Sequence, residues 1–260
     1  MWLFFLIIHF EIQSTFYMEK TFFVTLKELL RKKDDLLKRT LGVGLSNQEM
    51  GGLFILSIAM FTCYGFLLGA QFNLLQSLVS GVKLPLLFIL TTLICFPTLY
   101  MFLSYLGIKQ GLKQILGLLV VCLTYISLVI AAFAPVAFFF LITTNGYAFY
   151  KFINIVIIAI GGYIGIRLFY EQMLLIYKES WMPAIEHETT EPTAERTNPV
   201  FKKAIWFTFS WAMLYAIIGT QLSYTFSPFF GDPTQEFLLI NDRGGNFFMD
   251  VIETLSQLIK

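Results

Sequence analysis

Amide and hydroxyl side chains at the ends of two apolar stretches are the groups in this sequence best placed to do polar chemistry. Residues 67–81, LLGAQFNLLQSLVSG, are echoed without a gap by residues 217–231, IIGTQLSYTFSPFFG. Gly69, Gln71, Ser77 and Gly81 recur as Gly219, Gln221, Ser227 and Gly231. Gln71, Asn73 and Gln76 follow the first stretch, and Gln221, Ser223 and Tyr224 end the second. Such groups can hydrogen-bond one helix to another, each bond contributing about 0.6–2 kcal/mol in a membrane. They can also line a polar cleft built from both copies. Packing between spans one and five is the plainer expectation, with Gly69 and Gly219 permitting close approach.

Other chemistry finds little support. No Asp, Glu, Lys, Arg or His falls near the middle of an apolar stretch, whereas proton relays and intramembrane hydrolases need such groups, or a nucleophile with a base beside it. His187 stands between Glu186 and Glu188, but sequence neighbours on an extended chain point apart, and no second His or Cys completes a ligand set. Cys63, Cys95 and Cys122 show no CxxC spacing and read as small apolar packing residues. The expectation is a protein without catalytic residues, metal or cofactor.

The elements that must position the amides are transmembrane helices. Hydrophobic residues make up 57% of the 260 and charged ones 13%, against roughly 25% charged in soluble domains. A helix needs about 20 apolar residues to cross the hydrocarbon. Five windows qualify, near 51–70, 85–106, 115–141, 152–173 and 204–226. None shows the ten-residue alternation of a barrel strand, so the fold class is all-α, a polytopic helix bundle. Pro135 lies inside the third window and predicts a kink, or a break that leaves Val136–Thr143 at the interface. Most Lys and Arg precede the first span or fall in the 2–3 and 4–5 loops. The positive-inside tendency then places the N-terminus inside and the C-terminus outside. A net charge of +1 gives no sign of a nucleic-acid partner.

Five segments follow: 1–50, a tail and basic helix; 51–182, spans one to four; 183–203, a polar linker; 204–230, span five; and 231–260, an external amphipathic segment. Residues 1–17 lack the basic flank of a signal peptide; they read as an upstream start with Met18 as the better initiator, or as a short interfacial anchor. Across 20–41, leucines recur at helical spacing among Lys27, Arg31, Lys32, Lys33, Lys38 and Arg39. That pattern suits a helix lying on the inner leaflet with its cations toward headgroups. The linker PAIEHETTEPTAERTNP has no apolar period. Segments 72–82, 136–150 and 222–240 are apolar and aromatic where outer loops should be polar, which suggests interfacial or re-entrant pieces that contact lipid or a membrane-embedded partner. Gly161 and Gly165 form a GxxxG, which predicts a close helix crossing, and Arg167 can pair with Glu171 one turn on. Phe247–Lys260 reads as an amphipathic helix with Asn246 as its N-cap.

The stretch GTQLSYTFSPFFGDP, with FLLINDRGGNFFMDVI after it, resembles the end of small bacterial multispanning membrane proteins of unassigned function. These carry G-x-Q, then R-P-F-x-G-x-P, then an arginine followed by G-N-F. The matching positions are Gly219, Gln221, Pro228, Phe229, Gly231, Pro233, Arg243, Gly245, Asn246 and Phe247. Ser227 stands where the pattern has arginine, so no role needing a cation there follows. The resemblance covers about 30 residues; it implies the bacterial inner membrane and no activity. The functional expectation is a non-catalytic scaffold, assembly or regulatory subunit that works through the bilayer and a membrane protein partner or a second copy of itself. The alternative is a small transporter or channel with its polar site near Gln71 and Gln221.

Overall fold

The structure, a computed structural model, describes residues 27, 29, 31, 33–42, 44–70, 74–108, 110–144, 147–186, 199–226 and 247–259. Among the described residues every regular element is a helix: α1 (Lys33–Gly42), α2 (Asn47–Gly69), α3 (Leu74–Tyr105), α4 (Leu112–Ala132), α5 (Ala134–Thr143), α6 (Tyr147–Glu186), α7 (Pro199–Phe226) and α8 (Phe247–Ile259). Five helical stretches are long and apolar enough to cross a membrane: Asn47–Gly69, Leu74–Tyr105, Leu112–Thr143, Ala148–Lys178 and Lys202–Phe226. The chain is therefore an all-α integral membrane protein. The end of the bundle at Gly69 is called outer below, following the charge distribution.

Two span boundaries differ from the sequence expectation. The second span begins at Leu74, not near 85, so the apolar segment after Asn73 is the start of α3 and not an interfacial loop. Pro85 and Pro97 both lie inside that helix, as membrane helices allow when neighbours enclose the freed backbone groups. The fourth span runs on as helix to Glu186, so 183–186 belong to it and not to the linker. The third span does break where Pro135 predicts, with α4 ending at Ala132, Phe133 at the joint, and Pro135 in the first turn of α5.

Packing follows the chain with one long-range insertion. α2 lies against α3 and α4, α6 lies against α4, and α7 returns to pack on α3. The cluster toward the inner end joins Leu53, Cys95, Leu99, Leu118, Phe169, Met173 and Trp211; a second, outer one joins Phe61, Tyr64, Leu68, Leu84, Phe88, Ile126 and Ile157.

The N-terminal amphipathic helix turns its apolar face to protein, since Leu29, Leu36, Leu41 and Leu45 are buried in the inner cluster. Gln114 fixes its end by donating from Nε2 to the Leu41 and Gly42 carbonyls at 2.8 and 2.9 Å. Ser46 then opens α2 with a capping box: its backbone N–H reaches Glu49 Oε2 at 2.9 Å, and its hydroxyl accepts from the Glu49 N–H at 3.3 Å. Arg39 pairs with the same glutamate at 3.0 Å. Of the six basic residues placed on the inner leaflet, Lys27, Arg31 and Arg39 are exposed. Lys33 and Lys38 are within the helical run, and Lys32 lies outside the described residues.

Candidate functional site

Gly69 and Gly219, the first glycines of the two copies, both pack against α3, in different ways. Gly69 belongs to a seam in which α2 and α3 touch backbone to backbone. A Cβ on Gly69 would stand 2.5 Å from the Gln76 carbonyl oxygen and 2.6 Å from the Ser77 Cα. A Cβ on Gly65 would stand 2.6 Å from the Ser80 carbonyl oxygen. Gly65 and Gly69 thus form a GxxxG whose partner surface is Ser77, Ser80 and Gly81, small residues that let the helices approach. Gln76 is buried in this seam. Gln71 and Asn73 lie outside the described residues.

The second copy leaves room. A Cβ on Gly219 would meet only the Thr91 side chain, at 3.5 Å, which is ordinary contact. Gln221 and Ser223 are half-buried on the next turn. α3 is the packing neighbour of both α2 and α7, so the two glycines contact α3 at separate points and do not pair across a shared cleft.

Beside Gly219 a crevice of about 430 Å³ opens between α3, α4, α6 and α7. Leu84, Leu87 and Thr91 of α3 form one wall, and Leu119, Leu123 and Ile126 of α4 the floor. Ile155, Ile158, Ala159, Gly162 and Ile166 of α6 face Trp211, Tyr215, Ala216, Gly219 and Ser223 of α7. Phe247, the first residue of α8, closes on the same space.

The sequence makes this gap through small residues on the two facing helices. α6 and α7 are joined toward the inner end by the hydrogen bond between the Tyr177 and Thr208 hydroxyls at 2.5 Å, and by the Phe169 and Trp211 rings at 4.5 Å. Farther out they present Ala159 and Gly162 against Ala212, Ala216 and Gly219, which cannot fill the distance. The neighbouring glycines are used up: Ile130 seats against Gly161 and Ile126 against Gly165. The predicted GxxxG crossing is therefore present, with isoleucine side chains of α4 as the knobs. Gly162 has no atom within 4 Å of where its Cβ would be.

Polar atoms around the crevice are largely turned back onto the helices. Thr91 and Thr92 each donate to the carbonyl four residues earlier at 2.8 Å, and Thr220 donates to Ile217 O at 2.9 Å. The Trp211 indole donates to Cys95 O at 3.0 Å, and the Tyr215 and Thr92 hydroxyls are 3.2 Å apart. What the walls offer a ligand is mostly hydrocarbon. No lining residue among those described is Asp, Glu, Lys, Arg or His.

Polar side chains gather instead outside the crevice lining, where α6 meets the outer end of α2. Tyr64 donates to Asn154 Oδ1 at 2.7 Å, Asn154 donates to Tyr150 O at 2.8 Å, and the Tyr150 hydroxyl reaches Leu67 O at 2.9 Å. These bonds tie α6 to the end of α2. Lys83 and Lys151, which the sequence places in outer loops, are inside α3 and α6 and each only 7% exposed. At the inner end Arg167 pairs with Glu171 at 3.2 Å, as the one-turn spacing predicts.

Sequence reasoning missed the Gly65/Gly69 seam, Asn154 and the two lysines. The glycine spacing was visible; the burial of Lys83 was hidden by starting span two at Pro85. His187 and most of the C-terminal pattern, from Pro228 to Asn246, lie outside the described residues. No family model matches the chain, and neither a curated protein nor a solved structure matches it.

Proposed function

We propose that this protein is a non-catalytic membrane scaffold or regulatory subunit that holds the apolar tail of a lipid in the crevice between its second, third, fourth and fifth spans. One observation carries the reading: an almost wholly apolar cavity of about 430 Å³ lies between helices long and apolar enough to cross a membrane. That volume is within the range of small-molecule sites. Ile160, Tyr163, Met213 and Ile217 are exposed on α6 and α7 near the crevice, so a tail can enter sideways from the bilayer. An apolar wall with few free polar atoms favours a hydrocarbon chain over a solute that keeps its water.

The exposed face of α8, with Phe248, Met249 and Ile252 outward, supports a position in the outer interface beside the crevice mouth. The same hydrocarbon offers a surface to a membrane-embedded partner. A transport site shared by Gln71 and Gln221 has less support, because the two copies pack on α3 at separate points.

The test is lipid retained through detergent exchange, counted by mass spectrometry. Wild type is expected to keep a tightly held lipid. Gly162→Leu, which adds its side chain where no atom lies within 4 Å, is expected to lose it with little change in melting temperature. Equal retention by the two proteins would overturn the reading.

A further inference from the structure

The helices that line the crevice also give its depth. The lining runs from Ile155 to Phe169 on α6, from Trp211 to Ser223 on α7, and from Leu84 to Thr92 on α3. At about 1.5 Å per residue these stretches are about 21, 18 and 12 Å long. α3 and α6 run inward and α7 runs outward. Thr92, Phe169 and Trp211 therefore mark the inner end, and Leu84, Ile155 and Ser223 the outer one. Trp211 is near the centre of the fifth span, Lys202–Phe226, and Thr92 near that of the second, Leu74–Tyr105. The crevice thus covers one leaflet, whose hydrocarbon half-thickness of about 15 Å is on the scale of its depth.

The two ends are built differently. At the inner end the Phe169 and Trp211 rings are 4.5 Å apart, and the indole N–H is held on the Cys95 carbonyl at 3.0 Å. One turn farther in, Met173 and Thr208 are buried and take no part in the lining. That end is closed by the inner core, with the Trp211 ring as its stopper. At the outer end Ser223 and Phe247 are only half-buried, so the mouth meets the interface. The volume of about 430 Å³ is toward the low end of small-molecule sites. Drawn out over a leaflet's depth, it is a slot for one chain and not a chamber for several.

We infer that the crevice takes a single acyl chain of an outer-leaflet lipid, methyl end inward, and that Trp211 sets the longest chain it accepts. This rests on the lipid-tail reading above and adds the chain's number, direction and length limit to it. The headgroup stays at the aqueous interface and fixes one end of the chain; the indole stops the other. A chain longer than the slot must buckle or lift its headgroup, and against fixed walls either is costly.

The experiment uses the full chain in nanodiscs holding an equimolar series of saturated phosphatidylcholines, from myristoyl to arachidoyl. Lipid retained through detergent exchange is identified by mass spectrometry. Wild type should hold the arachidoyl lipid at least about fivefold less than the best-held member, the scale of overpacking a fixed site. Trp211→Ala should move the best-held chain to a longer one. Phe169→Leu, a milder truncation of the same floor, should shift it in the same direction and carries the test should Trp211→Ala not fold. Trp211→Phe loses the bond to Cys95 but keeps a ring over the chain end, so its length profile should stay close to wild type even where its melting temperature falls. Ser223→Ala, at the mouth, should leave the profile unchanged. A flat profile in wild type, or one that neither truncation moves, overturns the length limit and leaves the lipid-tail reading standing. So does a shift in Trp211→Phe as large as in Trp211→Ala. Absence of any retained lipid from wild type overturns both.

Discussion

The Gly69 and Gly219 copies share residue types and reach opposite kinds of packing. Around Gly69 two helix backbones are in contact, with carbonyl oxygens and Cα atoms where a Cβ would be. Around Gly219 the nearest obstacle is one threonine side chain, and hydrocarbon space begins beside it. A glycine in a membrane helix thus marks a place where something comes close, and the opposing residue decides what. Ser77 and Gly81 opposite α2 let a backbone in. Opposite α7, Ala159 and Gly162 on α6 bring no more than a methyl group, so a cavity remains.

Breaking the seam should have the largest consequence. Gly69→Ala or Gly65→Ala forces a methyl group into the α3 backbone, and the expected loss is about 1–3 kcal/mol or more, the cost of overpacking that rigid atoms cannot relieve. Thermal unfolding of the purified protein in detergent measures it, and a melting temperature equal to wild type would show that α2 and α3 are not so tightly joined. Gly165→Ala should cost less, about 1 kcal/mol, because what it meets is side chain, the Cγ1 and Cδ1 atoms of Ile126, and not backbone. Combining it with Ile126→Val removes the outermost atom of that side chain and should recover part of the loss. Gly219→Ala completes the series and is expected to stay within about 0.5 kcal/mol of wild type, since its contact at 3.5 Å is unstrained. A large destabilisation there would erase the distinction between the two copies.

Hydrophobic runs and punctuation made much of the architecture legible. Five spans, the break at Pro135, the Gly161/Gly165 crossing and the Arg167–Glu171 pair could each be read from residue type and spacing. The start of α3 could not, because Pro85 looks like the first turn of a helix; its tolerance inside α3 depends on burial against neighbouring spans. The same error put Lys83 in a loop. The crevice was illegible for a different reason: it is made by what four helices fail to fill, and no local pattern encodes an absence. Gly162 differs from its neighbour Gly161 only in which side of α6 the α4 isoleucines approach.

The seam has a consequence for biogenesis. Gly69 and Leu74 are close in sequence, so α2 and α3 can close on each other with little loop entropy to overcome. The indole of Trp211, by contrast, finds the Cys95 carbonyl across 116 residues. The first hairpin can therefore be complete in the membrane while the last span is still on the ribosome. Until α7 arrives, the flank of α6 at Ala159 and Gly162 is bathed in lipid. If the crevice holds a lipid tail as proposed, the fifth span would close over acyl chains already in place, and the newborn protein would acquire its first occupant by enclosure, before any exchange begins.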